Sequence, residues 1–122
     1  MQEKNFENRV KRWLQSQGVY AVGTPKQKMT VPAVGYYEKR FGNAFTVAGL
    51  PDLHISIKGV DLEIELKAPK GKPSMLQIRM IEQMRQSGSL AYIVYEKIKG
   101  NKDGHYIDFG TFKSIVGDLI DG

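Results

Sequence analysis

Residues 49–67 read GLPDLHISIKGVDLEIELK, from Gly49-Leu50-Pro51-Asp52 to Glu65-Leu66-Lys67. Leu53, Ile55 and Ile57 alternate with His54 and Ser56. After Lys58-Gly59, Leu62, Ile64 and Leu66 alternate with Asp61, Glu63, Glu65 and Lys67. Period-two alternation on both sides of a glycine-containing dipeptide predicts a β-hairpin with a two-residue turn. Pairing Ile57 with Val60 sets Ile55 opposite Leu62 and Leu53 opposite Ile64, so that the apolar residues share one face. A slip by one residue would split them between faces, and that selects the register. The same register sets Asp52 opposite Glu65.

Opposed side chains on a sheet have Cβ atoms roughly 4.5–5.5 Å apart, and like charges there destabilise the pair. A divalent cation between the two carboxylates turns this cost into a gain, and Mg²⁺ favours such oxygen ligands. Lys67 projects from the same face as Glu65. Two carboxylates, a metal and an ammonium form a set suited to phosphodiester hydrolysis. The plainer reading stands beside it: solvated hairpin faces carry Asp, Glu and Lys, and Asp52 also fits a turn residue after Gly-Leu-Pro.

The rest of the chain bears on the choice. Its 122 residues suit one domain over 1–122 with its own core, and 41% hydrophobic and 25% charged residues are ordinary for a globular protein. With no cysteine, disulfides, zinc–thiolate centres and cysteine nucleophiles are excluded. No apolar run approaches membrane-spanning length, and the opening Met-Gln-Glu-Lys-Asn lacks a signal-peptide core, so no membrane and a cytoplasmic setting are expected. A net charge of +5 and a pI of about 9.4 favour a polyanionic partner. A basic chain that gathers acids on one strand attracts phosphate broadly and holds a metal locally.

Along the chain, Phe6, Val10, Trp13 and Leu14 predict an amphipathic helix over 2–17, stopped by Gly18. Val19 to Val22 suits a short strand. Residues 23–48, broken by Pro25, Pro32, Gly35 and Gly42, read as irregular. There Lys26, Lys28, Lys39 and Arg40 interleave with Tyr36, Tyr37, Phe41 and Phe45, a composition suited to holding phosphates and stacking on bases. The basic loop 68–73 adds Lys70 and Lys72. A helix is expected from Ser74 to about Ser87, with Leu76, Met80, Ile81 and Met84 on one face. A strand buried on both faces follows at Leu90–Tyr95. A turn at 101–104, a strand from His105 to Phe109 and a helix from Thr111 to Ile120 close the chain. The order is α–β–β–β–α–β–β–α, an antiparallel hairpin followed by a βαβ crossover. Trp13 reads as core, His54 as a cross-strand partner of Glu63, and His105 as surface.

A PD at a strand start and ExK on the next strand, between a first helix and a helix–strand pair, resembles the PD-(D/E)xK nuclease superfamily. The details are most similar to the virus-type replication-repair nuclease (VRR-NUC) family in its small stand-alone phage and bacterial form. The residues that carry this are Gly49-Leu50-Pro51-Asp52, Glu65-Leu66-Lys67, Ser74-Met75-Leu76-Gln77 and Gly88. Archaeal-type Holliday junction resolvases share the scheme. The resemblance implies an α/β, restriction-endonuclease-like core, a small mixed sheet flanked by helices. It implies that Asp52, Glu65 and the Leu66 carbonyl ligate Mg²⁺ or Mn²⁺, and that Lys67 assists the attacking water or the scissile phosphate. It also implies a glutamate from the first helix near the metal, Glu7 by its distance from Gly18, with Glu3 the competitor. Gln77 matches a glutamine these families place by the site, and Ser74-x-x-Gln77 is equally a capping box.

The function implied is metal-dependent hydrolysis of DNA at branched, flapped or junction structures, in the cytoplasm of a bacterial or phage-infected cell and with a homodimer as a family expectation. The alternative is a non-catalytic nucleic-acid-binding or assembly protein on a nuclease fold. A sequence-specific restriction enzyme ranks lower, since the chain has little room for a recognition domain.

Overall fold

The computed structural model describes residues 2–41, 47–98 and 104–122. Helix α1 spans Gln2–Ser16; strands β1 and β2 span Val19–Ala21 and Gly35–Lys39. β3 (Leu53–Ile57) and β4 (Val60–Lys67) form the hairpin, α2 covers Met75–Gln86, β5 and β6 span Leu90–Tyr95 and Tyr106–Asp108, and α3 covers Phe109–Asp121. The fold is α/β: one mixed six-stranded sheet in the order β1-β2-β3-β4-β5-β6, flanked by three helices and compatible with a small restriction-endonuclease-like core. Among the described residues no helix is long and apolar enough to cross a membrane.

The hairpin takes the expected register, with Leu53, Ile55 and Ile57 opposite Ile64, Leu62 and Val60. Its turn holds Lys58 and Gly59 at φ 49° and 83°, the paired positive values of a tight turn that matches strand twist. β4 and β5 are parallel, joined by α2, and β5 pairs in parallel with β6. β5 is covered on both faces, as its unbroken apolar run predicts. Val94 joins the larger core, and Ala91 and Ile93 pack with Ile81 of α2.

That larger core explains α1 and α3. Phe6, Val10 and Leu14 fall on one stripe of α1 and pack with Phe112 and Val116 of α3 against Leu53, Ile55, Leu62 and Ile64. Each such side chain contributes about 1.5–3 kcal/mol by leaving water. Trp13 meets Phe109 and Phe112 edge-on at 6.3 and 6.0 Å. Asp108 begins α3 by accepting the Thr111 amide at 2.8 Å.

One expectation fails. The stretch 23–48 is not irregular throughout, because Gly35–Lys39 forms β2, parallel to β1 and antiparallel to β3. Tyr37 is its single buried residue, so five residues carry almost no period-two signal. A one-turn 3₁₀ helix at Lys26–Lys28 lies between β1 and β2. Gly42, Phe45 and most of the expected 101–104 turn lie outside the described residues.

Gly35 is required by close approach. A Cβ there would stand 2.2 Å from the Ser56 carbonyl oxygen and 3.0 Å from Ile57 Cα, backbone atoms that cannot swing aside. Gly35→Ala is expected to cost about 3 kcal/mol, measured as a lowered urea midpoint; an unchanged midpoint would rule out this packing.

Candidate active site

Five of the six strands run the same way, with β3 reversed. In such sheets ligands gather beyond the carboxyl ends of the parallel strands. Asp52 at the start of β3, Glu65 and Lys67 at the end of β4, and Lys39 at the end of β2 meet at that end.

The ladder between β3 and β4 stops at Leu53 and Ile64, and Asp52 continues it with its side chain. Its Oδ2 accepts the Leu66 amide at 3.0 Å, and its carbonyl accepts the Arg40 amide at 2.8 Å. Leu66 thus enters the site through its amide. Glu65 is 2% exposed. Its Oε2 accepts Gln77 Nε2 at 3.0 Å and lies 3.4 Å from Lys67 Nζ. Its Oε1 is buried without a hydrogen-bond partner. Burial and then the neighbouring Asp52 charge raise the Glu65 pKa to about 8, against the opposing pull of Lys67.

Gln77 fills both roles the sequence left open. Its Oε1 accepts the Ser74 amide at 2.9 Å while the Ser74 hydroxyl accepts the Gln77 amide at 3.1 Å, a closed capping box. Its Nε2 remains free to hold Glu65, so the helix start and the carboxylate are fixed by one side chain.

Of the two α1 glutamates, Glu7 comes to the site's margin and Glu3 is exposed. Glu7 is 6% exposed. Lys39 and Lys11 each stand 2.8 Å from its carboxylate and Lys4 stands 3.4 Å away. Burial alone would raise its pKa, but Lys11 and Lys39 outweigh that and hold it down to about 2. Lys39 Nζ is also 3.7 Å from Asp52 Oδ1, so its ammonium links the helix acid to the strand acid.

A second cluster braces the first. Arg40 Nη1 donates to the Pro51 carbonyl at 3.1 Å, and its Nη2 donates to Glu63 Oε2 at 3.0 Å. Glu63 Oε2 also lies 3.2 Å from His54 Nδ1, the cross-strand pair expected from the register. The hairpin's polar face is therefore partly sealed: Ser56 and Glu63 are 9% and 8% exposed, while Asp61 is solvated. Arg40→Ala leaves the buried Glu63 short of its cation and is expected to cost about 3 kcal/mol. A change in urea midpoint worth less than ~0.5 kcal/mol would refute the brace.

The residues singled out as nucleic-acid contacts separate into two groups. Lys39 and Arg40 are engaged with Glu7, Asp52 and Glu63, inside or beside the site. Lys26, Lys28, Lys70 and Lys72 are exposed; the first two lie beyond β1, three strands from β4. His105 is half-buried rather than on the surface; its ring lies 4.2 Å from that of Tyr106, its Nε2 is buried without a partner, and burial lowers its pKa. The place of Lys39 in the site was beyond the sequence, because its strand was.

The donor set suits a hard divalent cation. Two carboxylates converge, and one carries a buried oxygen with no hydrogen bond. Among the described residues no group of three or more His, Asp or Glu forms a ready-made metal cage, so protein ligands beyond Asp52 and Glu65 would come from backbone oxygen or from Glu7 released by its lysines. Compared with known proteins, the chain matched no family model, no curated protein and no solved structure.

Proposed function

We propose that this protein is a metal-dependent DNA endonuclease of the VRR-NUC type within the PD-(D/E)xK superfamily, acting on branched, flapped or junction DNA in the cytoplasm of a bacterial or phage-infected cell. The observation that carries the reading is Glu65: a buried carboxylate beside Asp52, with one oxygen held by Gln77 and Lys67 and the other unpartnered. A structural acid has no use for that environment, whereas a metal ligand does.

Asp52 and Glu65 would hold Mg²⁺ or Mn²⁺. When bound, the ion supplies Lewis-acid polarisation of a phosphate oxygen and a lowered pKa for coordinated water. Asp52 is held in place by the Leu66 amide and Glu65 by Gln77, so both are oriented before substrate arrives. Lys67, 13% exposed, brings a fixed positive charge to where the phosphorane-like transition state gains negative charge. The charge of +5 draws the polyanion in. Homodimerisation would match the two-fold symmetry of a four-way junction.

The test is cleavage of end-labelled single-stranded, duplex, flap and four-way DNA with Mg²⁺, Mn²⁺ or EDTA, using wild type and Asp52→Asn. Cutting that needs metal and Asp52 supports the reading, and the ranking of substrates defines the preferred structure. DNA bound equally by both proteins and cut by neither would replace it with the binding-module alternative.

A further inference from the structure

An open cavity of about 560 Å³ lies beside the site, lined by Lys72, Pro73, Ile78, Tyr95, Lys97 and Tyr106 among others. Its size is that of a small-ligand site. It adjoins the candidate centre through two neighbours. The register pairs Tyr95 with Lys67 across strands ~4.8 Å apart, and Ile78 follows Gln77 on α2. We propose that this cavity is a subsite for an unpaired nucleotide of the substrate strand, flanking the scissile phosphate. The proposal rests on the nuclease reading above and adds to it a preference for strands with unstacked bases.

Three features select this occupant. Two tyrosine rings offer flat surface of the kind bases stack on irrespective of sequence, and Ile78 adds apolar contact. Lys72 and Lys97 are both exposed and supply charge for the phosphates on either side of a bound base; an apolar peptide would have no use for them. The wall is built in advance: the Tyr95 hydroxyl donates to the Gly71 carbonyl at 2.9 Å, and Pro73 restricts the backbone of the same loop. A preformed site spends little of its binding energy on ordering. A duplex would have to extrude a base to fill it, whereas a flap or single strand presents one already unpaired.

The test is run in EDTA, so that binding is read without cleavage. A flap oligonucleotide carrying 2-aminopurine in its unpaired arm next to the junction is compared with the same sequence fully paired. Stacking in the cavity is expected to quench the probe on binding to wild type. Tyr106→Leu should abolish most of the quenching and weaken flap binding at least about fivefold, with duplex binding nearly unchanged. Lys97→Glu, at an exposed position, should weaken the flap more than the duplex and serves if Tyr106→Leu melts early. Equal fluorescence of free and bound probe, or equal loss of flap and duplex binding in Lys97→Glu, overturns the subsite. The nuclease reading is judged separately by metal-dependent cleavage in wild type and Asp52→Asn, so a failure of the subsite is told apart from a failure of the reading it rests on.

Discussion

Glu65→Gln is expected to lower DNA cleavage on the order of 10³-fold while making the metal-free protein more stable at pH 8. Both effects follow from the same carboxylate. Burial, with Asp52 beside it, raises the Glu65 pKa from 4.5 to about 8. An acid whose folded-state pKa lies above its unfolded value is harder to ionise in the native state. Its stabilising proton is therefore fully present below pH 4.5, and stability declines as pH rises from there to about 8, levelling off beyond. The full shift corresponds to ~5 kcal/mol. Glutamine keeps the acceptor for Gln77 and carries no charge, so this decline should vanish in Glu65→Gln. At ~3–5 °C per kcal/mol, a melting temperature higher by about 15–20 °C at pH 8 is the expected scale. Glu7 acts in the opposite sense. Lys11 and Lys39 hold its pKa down to about 2, so its contribution is present above pH 4.5 and is lost as pH falls towards 2. Melting curves of both proteins in EDTA between pH 5 and 8 decide the matter: parallel curves would mean that Glu65 pays no ionisation cost. Mg²⁺ or Mn²⁺ should then stabilise wild type at pH 8 and leave Glu65→Gln nearly unmoved, by linkage to the native state.

Lys67→Met should cut the single-turnover rate by about 10²–10³-fold, with DNA affinity changed less than ~3-fold. Lys67 contributes one charge of many to DNA attraction, which is a sum over the surface. At the reaction it is the ammonium nearest Glu65, 3.4 Å from Oε2, with limited exposure. Arginine should rescue poorly, because a planar guanidinium does not reproduce a compact ammonium in a confined place. If Lys67→Met cuts within tenfold of wild type, Lys67 is an ion-pair partner of Glu65 and not part of the chemistry.

What could be read from the sequence divides along physical lines. The β3–β4 register was legible because twelve alternating positions bear on one choice of face. α1 and α2 were legible from helical spacing and from Gly18, Ser74 and Gly88 at their boundaries, although Leu76, expected on the apolar face of α2, is exposed. Asp52, Glu65 and Lys67 followed from that register; Gln77 was placed by the site only through the family resemblance, the capping pattern accounting for the helix start alone. β2 was hidden because its pattern is set by neighbours: a glycine chosen for close approach to Ser56, one buried tyrosine, and a lysine answering two distant acids. With it went the roles of Lys39 and Arg40, which read as phosphate contacts by composition and turned out to hold Glu7, Asp52, Pro51 and Glu63. The cavity beside Tyr95 was equally unreadable, since its walls come from a loop, a helix and two strands that only the fold assembles.

The two outermost strands, β1 and β6, are three residues each. A sheet edge that short gives an approaching chain almost no backbone ladder to extend, one of the ways natural sheets resist fusing with one another. Two copies of this protein therefore have little to gain by joining sheet to sheet. Any lasting association between them has to be written in side chains on helices and loops, where single substitutions can tune or abolish it without touching the strands that carry Asp52 and Glu65.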